Sequence, residues 1–150
     1  MPDPSDIPPQ SADETESQAR AFERHRRQRQ STLAEDYCEV IADLIAETGE
    51  ARAIDLARRF GVSHATVVNS IARLQKAGFV SSQPYRSIFL TEIGRDLAAM
   101  QKRRHQVVLR LLEALGVDAE TARTDAEGIE HHISDATLAV FERFLAEREG

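Results

Sequence analysis

Residues 51–80 read ARAIDLARRFGVSHATVVNSIARLQKAGFV and have the layout of a helix-turn-helix. Apolar side chains recur at helical spacing on both sides of a glycine. Gly61 suits a tight turn because a residue without a side chain adopts the left-handed backbone easily. Ser63 is a suitable N-cap for the second helix. The inward-facing residues are expected to be Ile54, Leu56, Ala57 and Phe60 in the first helix and Val67, Ile71 and Leu74 in the second.

The next stretch, FVSSQPYRSIFLT at residues 79–91, predicts two short strands around a turn at 84–87, which is a β-hairpin wing. An apolar stripe before the helix-turn-helix predicts a helix from about Phe22 to Gly49. After it, Thr91 caps a long helix, another runs from about Asp118 to His132, and Ser134 caps the last. The fold class is therefore mainly α with a small β-hairpin wing: a winged helix-turn-helix domain followed by a helical domain.

Domain boundaries follow from composition. Residues 1–21 are acidic and rich in Pro and Ser, so we expect a disordered tail. Residues 22–94 then form the winged helix-turn-helix domain, and residues 95–150 form the helical domain. The apolar runs are too short to span a membrane, the N-terminus lacks the pattern of a signal peptide, and a single cysteine excludes an intramolecular disulfide. We expect a cytoplasmic protein.

The distribution of charge points to nucleic acid although the whole chain carries a net charge of −6. Residues 1–19 carry five acids and no Lys or Arg, residues 20–110 carry 16 Lys and Arg against 10 Asp and Glu, and residues 111–150 carry 3 against 10. The basic middle contains the helix-turn-helix, so double-stranded DNA is the expected partner.

The second helix of the motif would enter the major groove with its N-terminal part. The candidates for contacts to base edges are Ser63, His64, Ala65, Thr66 and Asn69. The candidates for phosphate contacts, which give affinity and salt dependence rather than sequence choice, are Arg73, Lys76, Tyr85 and Arg86.

A second pattern predicts a metal site. In DAEGIEHH, Glu127, Glu130 and His131 stand at i, i+3 and i+4 and share one helical face. Asp36 and Glu39 repeat the i, i+3 spacing in EDYCEV, and His105 lies in KRRHQVV. Carboxylates and imidazoles of this number suit Mn²⁺ or Fe²⁺ better than a structural zinc.

The segment from Asp36 to about residue 144 resembles the diphtheria-toxin-repressor family of metal-activated repressors, and specifically its manganese-responsive members. The resemblance is carried by DYCEVIADLI, VSHATVVNSIARL, YRSIFLTEIG, RRHQVV, LGVDAE and, most specifically, DAEGIEHHIS. It implies a homodimer that binds operator DNA and represses manganese-uptake genes when Mn²⁺ is plentiful, with the second domain serving metal binding and dimerisation.

The family's paired metal site, carried over by position, falls on Asp36, Glu39, His105, Glu127, Glu130 and His131, which implies two Mn²⁺ ions per subunit. Iron-responsive relatives have Met where this chain has Asp36 and Cys where it has Glu127. Hard carboxylate oxygens at both positions favour Mn²⁺.

Alternative readings stay open. An iron-responsive repressor of the same family would accept the same donors. A metal-independent winged-helix regulator would have these acids on a solvated face. A metalloenzyme is disfavoured because the chain has no helical HExxH pair and no Gly-rich phosphate loop, so we expect no enzymatic activity.

Overall fold

The computed structural model describes residues 11–83 and 86–150. Within these ranges the helices are α1 (Ala12–Thr48), α2 (Ala53–Phe60), α3 (His64–Lys76), α4 (Glu92–Ala114), α5 (Ala119–Ile129) and α6 (Asp135–Glu149), and the strands are β1 (Val80–Ser81) and β2 (Phe89–Leu90). None of these helices combines the length and the hydropathy that a membrane span requires.

Helix α1 begins ten residues earlier than the sequence predicts, at Ala12 instead of about Phe22. The Ser11 hydroxyl accepts a hydrogen bond from the Glu14 amide, and the Glu14 carboxylate accepts one from the Ser11 amide. This capping box satisfies two of the amides that a helix start leaves unpaired. The disordered tail predicted for residues 1–21 is therefore wrong over residues 12–21, and its first ten residues lie outside the described residues.

The helix-turn-helix is confirmed, with one correction: Ile54, predicted to face inward, is exposed, because it lies about 200° around the helix from the buried Leu56. Gly61 ends α2 in the left-handed conformation, with φ of 63°. Ser63 caps α3 by accepting a hydrogen bond from the Thr66 amide. Side chains from both helices pack into the main core with those of α1, and the buried members include Leu56, Val67, Ile71 and Leu74.

The wing is a two-stranded antiparallel sheet in which Val80 pairs with Leu90 and Ser81 with Phe89. An isolated bridge between Ala51 and Ile88 ties it to the segment between α1 and α2. Pro84 and Tyr85 of the predicted turn lie outside the described residues. The wing thus extends the helix-turn-helix as the sequence predicts.

Helix α4 packs against α1, α5 and α6 and connects the two parts of the chain. A smaller apolar cluster joins its Val107 to Leu138 and Leu145 of α6. Met100 of α4 and Leu115 at its C-cap are exposed. The metal-binding candidates lie on α1, on α4 and at the end of α5.

Candidate metal centre

Three elements bring the predicted metal ligands together. Helix α1 carries Asp36 and Glu39, and α4 carries His105. Glu127 lies in the last turn of α5, and the chain immediately after that helix carries Glu130 and His131. Helix α5 ends at Ile129 rather than at about His132, so the last two residues leave the helix instead of lying within it.

Glu130 lies at the centre of the cluster and is 0% exposed. Its Oε2 is 2.6 Å from Nδ1 of His105, and its Oε1 is 3.6 Å from Nε2 of His131. Oε1 is buried and has no hydrogen-bond partner among the described residues. Burial raises the pKa of this carboxyl, and the nearby His105 opposes that shift. Each oxygen of Glu130 thus faces a different histidine.

On one side of Glu130 lie His105 and Glu127. One ligand atom from each of these three residues lies within 4.8 Å of the others, and the Glu127 carboxylate is 3.6 Å from Nδ1 of His105. Glu39 is not within that group of ligand atoms, but burial and the carboxylates of Glu130, Asp43 and Glu127 raise its pKa to about 7. This concentration of negative charge is what a bound cation would offset.

On the other side of Glu130, Nε2 of His131 is 3.2 Å from Oδ1 of Asp36. Hydrogen bonds to Asp36 and to Glu35 raise the pKa of His131 to about 10. The imidazolium places a positive charge among the carboxylates. A divalent cation would supply positive charge there when the ring is neutral.

Sequence reasoning missed three side chains that contact the cluster. Glu35 Oε2 is 2.8 Å from Nδ1 of His131, and the amide of Gln101 is 3.4 Å from the same nitrogen. Arg104 donates hydrogen bonds to the carbonyl oxygens of Glu130 and Ile133. Glu35 directly precedes the predicted ligand Asp36, and Arg104 directly precedes the predicted ligand His105. This adjacency is the only sequence signal for these two residues.

The candidate DNA-binding surface lies on α3 and the wing. Ser63, His64, Ala65, Thr66 and Asn69 are all exposed, and so are Arg73, Lys76 and Arg86. Tyr85 lies outside the described residues.

Two other arginines of this region are engaged in ion pairs. Arg52 lies 3.2 Å from Glu50, and Arg59 pairs with Glu47. The predicted contact residues are therefore accessible, whereas these two charges are partly neutralised within the chain.

Two family models match consecutive parts of the chain. Residues 30–88 match the iron-dependent repressor N-terminal DNA-binding domain, and residues 91–149 match the iron-dependent repressor metal-binding and dimerisation domain. The transcriptional regulator MntR of Salmonella typhimurium is 49% identical over 122 residues, which cover 81% of this chain and 75% of that protein. The HTH-type transcriptional regulator MntR of Bacillus subtilis is 37% identical over 100 residues, covering 67% of this chain and 70% of that protein.

Solved structures with the same fold include a manganese-dependent transcriptional repressor in complex with manganese. It has a TM-score of 0.68 and 31% identity to this chain, and the match covers 75% of this chain and 52% of that one. The structure of the manganese regulator SloR matches with a TM-score of 0.66 and 25% identity, covering 75% of this chain and 53% of that one. The chain thus spans about half the length of these solved relatives.

Proposed function

The chain belongs to the iron-dependent repressor family, and from that premise we propose that it is a transcriptional regulator activated by Mn²⁺. As a metal-loaded homodimer it binds operator DNA and represses genes for manganese uptake. Residues 22–94 are assigned to DNA binding, and residues 95–150 to metal binding and dimerisation. The relatives named above are transcriptional regulators. We assign no catalytic role to the acidic cluster.

The observation that carries the proposal is the position of Glu130 between His105 and His131. Its buried Oε1, which has no hydrogen-bond partner among the described residues, and the raised pKa of Glu39 fit a cluster that is completed by a cation. The donors are carboxylates and imidazoles, a set suited to Mn²⁺. Since the two oxygens of Glu130 face different histidines, we propose two ions per subunit. The ligands are Asp36, Glu39, His105, Glu127, Glu130 and His131.

Repulsion between carboxylates on different elements explains how the metal site controls the docking of α1. Asp36 and Glu39 belong to α1, whereas Glu127 and Glu130 belong to the end of α5. When they are ionised and uncompensated, α1 is pushed away from α4 and α5. Bound Mn²⁺ supplies the positive charge that offsets this repulsion. Because α1 also packs against α2 and β2, its docking sets the position of the helix-turn-helix.

In the homodimer, the two α3 helices would then lie about 34 Å apart, which is one turn of DNA. Base edges are read by Ser63, His64, Ala65, Thr66 and Asn69, and phosphates are held by Arg73, Lys76, Tyr85 and Arg86.

The test is fluorescence anisotropy of labelled DNA from upstream of the host's manganese-transporter gene. Chelator-stripped protein is titrated without metal, with Mn²⁺ and with anaerobic Fe²⁺. We expect tight binding with Mn²⁺ and roughly 5- to 150-fold weaker binding without metal. Stronger activation by Fe²⁺ would instead assign the chain to the iron-responsive members.

A matched pair of variants locates the effect in the site. Glu127→Ala removes a proposed ligand and should abolish most of the Mn²⁺ dependence. Asp125→Ala removes an exposed carboxylate from the same helix and should respond to Mn²⁺ like the wild-type protein. Equal DNA binding with and without metal in the wild-type protein would refute the proposal and leave a metal-independent winged-helix regulator.

A further inference from the structure

The two ring nitrogens of His131 face different groups. Nδ1 is 2.8 Å from Oε2 of Glu35, which is not among the proposed metal ligands. Nε2 is 3.2 Å from Oδ1 of Asp36 and 3.6 Å from Oε1 of Glu130. Asp36 and Glu130 are both proposed metal ligands. One edge of the ring therefore points into the metal centre and the other points away from it.

This orientation has a chemical consequence. A neutral imidazole carries one N–H and one lone pair, and the hydrogen bond made by one nitrogen decides which nitrogen keeps the lone pair. A carboxylate only accepts hydrogen bonds. When Glu35 accepts a hydrogen bond from Nδ1–H, the lone pair of a neutral His131 lies on Nε2, between Asp36 and Glu130.

Glu35 is itself held in place. Ser31 lies one turn earlier on α1, and its hydroxyl donates a hydrogen bond of 3.0 Å to Oε1 of Glu35. Both carboxylate oxygens therefore have a partner. The Glu35 side chain is 14% exposed and that of His131 is 7% exposed, so water competes little for their contact. Gln101 lies on α4 and is 1% exposed, and its side chain covers the same edge of the His131 ring.

We propose that Glu35 is a positioning residue that holds Nδ1–H of His131 and thereby directs Nε2 to the metal. This inference rests on the proposed function, because it assumes that His131 is a metal ligand. Histidines that bind metals are commonly oriented by a carboxylate in this way. Helix α1 then contributes two ligands and also the group that orients a third, so its docking and the geometry of His131 depend on each other.

The first test is Mn²⁺ affinity, measured by electron paramagnetic resonance of the free ion. Glu35→Ala should weaken binding about 10- to 100-fold. Glu35→Gln keeps an acceptor oxygen without the charge and should recover most of that loss. Glu23→Ala, which removes an exposed carboxylate from the same helix, should bind like the wild-type protein. Equal weakening in both Glu35 variants would overturn the proposal, because lost charge alone would then explain the effect.

The second test identifies by NMR which ring nitrogen of His131 binds the metal, and it uses the wild-type protein only. The wild-type protein is labelled with ¹⁵N-histidine and loaded with ¹¹³Cd²⁺, a diamagnetic probe. Coupling between cadmium and Nε2 of His131 is the expected result, and coupling to Nδ1 would overturn the proposal. Binding of neither Cd²⁺ nor Mn²⁺ to the wild-type protein would instead refute the proposed function, so the two failures are distinguishable.

Discussion

At the scale of single residues, the metal-free cluster holds protons that its groups do not hold in an unfolded chain. Burial and neighbouring carboxylates raise the pKa of Glu39 from 4.5 to about 7. Hydrogen bonds to Asp36 and Glu35 raise the pKa of His131 from 6.5 to about 10. The folded protein therefore binds more protons than the unfolded chain from about pH 4.5 to pH 10.

The sign of the pH dependence follows from this difference. Where the folded state binds more protons, the free energy of unfolding falls as pH rises. The contribution of His131 is complete below pH 6.5 and is lost towards pH 10, and Glu39 becomes increasingly destabilising between pH 4.5 and 7. Glu35, whose pKa is lowered mainly by its hydrogen bond to His131 against the effect of burial, contributes in the opposite sense, because stability is lost as the pH falls through and below 4.5.

We therefore expect the midpoint temperature of thermal unfolding of the chelator-treated protein to decrease as the pH is raised from 6 to 9. Mn²⁺-saturated protein should lose this trend, because metal ligands bind in their deprotonated forms. Glu39→Gln should flatten the part of the metal-free curve below pH 7, whereas Glu23→Gln on the exposed part of α1 should leave it unchanged. A metal-free midpoint that rises with pH would contradict the assignment of these pKa values.

The sequence predicted the six proposed ligands but not the residues that hold them. Regular spacing within α1 and at the end of α5 groups four carboxylates and an imidazole, and His105 on α4 completes the donor set. The family resemblance predicted that the three helices come together. Glu35 and Gln101 carry no such pattern. They contact His131 only because α1 and α4 pack against the chain that follows α5, and that tertiary arrangement is not encoded in local spacing.

At the scale of helices and strands, local signals predicted α2, α3 and the C-terminal end of α1 well, but the start of α1 and the end of α5 poorly. The end of α5 depends on a distant residue. Arg104 on α4 donates hydrogen bonds to the carbonyl oxygens of Glu130 and Ile133 and pairs with Asp135. These contacts satisfy carbonyl groups that would otherwise need a longer helix or a glycine cap. A prediction from hydrophobic periodicity alone therefore places the end of α5 too late in the chain.

Two helical glycines give a matched test of packing. A Cβ on Gly94, in the first turn of α4, would lie 2.1 Å from the carbonyl oxygen of Phe79 and 3.2 Å from Cδ2 of Leu90. That carbonyl accepts a hydrogen bond from the Thr91 amide, so it is not free to move away. A Cβ on Gly128, in α5, would meet nothing within 4 Å.

Gly94→Ala should therefore destabilise the protein by about 1–3 kcal/mol through overpacking. Gly128→Ala should stabilise it by about 0.4–1 kcal/mol, because alanine reduces the entropy of the unfolded chain without a clash. Urea denaturation of the two variants measures both values. Equal effects of the two substitutions would show that α4 does not approach Phe79 as closely as described.

At the scale of the whole molecule, α1 is the element shared by both functions. Its buried face includes Tyr37, Cys38 and Ile41, which belong to the core formed with α2 and α3. The Tyr37 ring stacks on that of Phe60 with centroids 4.5 Å apart. Another face carries the proposed ligands Asp36 and Glu39. Under the proposed function, a change in the docking of α1 at the metal centre would therefore be transmitted to α3 through this shared core.

If α1 couples the two proposed sites in this way, metal binding and DNA binding must affect each other reciprocally, because linkage is reciprocal by thermodynamic necessity. If Mn²⁺ tightens operator binding by a given factor, operator DNA must tighten Mn²⁺ binding by the same factor, and couplings of about 1–3 kcal/mol correspond to roughly 5- to 150-fold. We expect equal factors from DNA anisotropy with and without Mn²⁺ and from Mn²⁺ titrations with and without saturating operator. DNA of scrambled sequence is the control and should leave the Mn²⁺ affinity nearly unchanged. An operator that leaves Mn²⁺ affinity unaltered would mean that α1 does not connect the two sites.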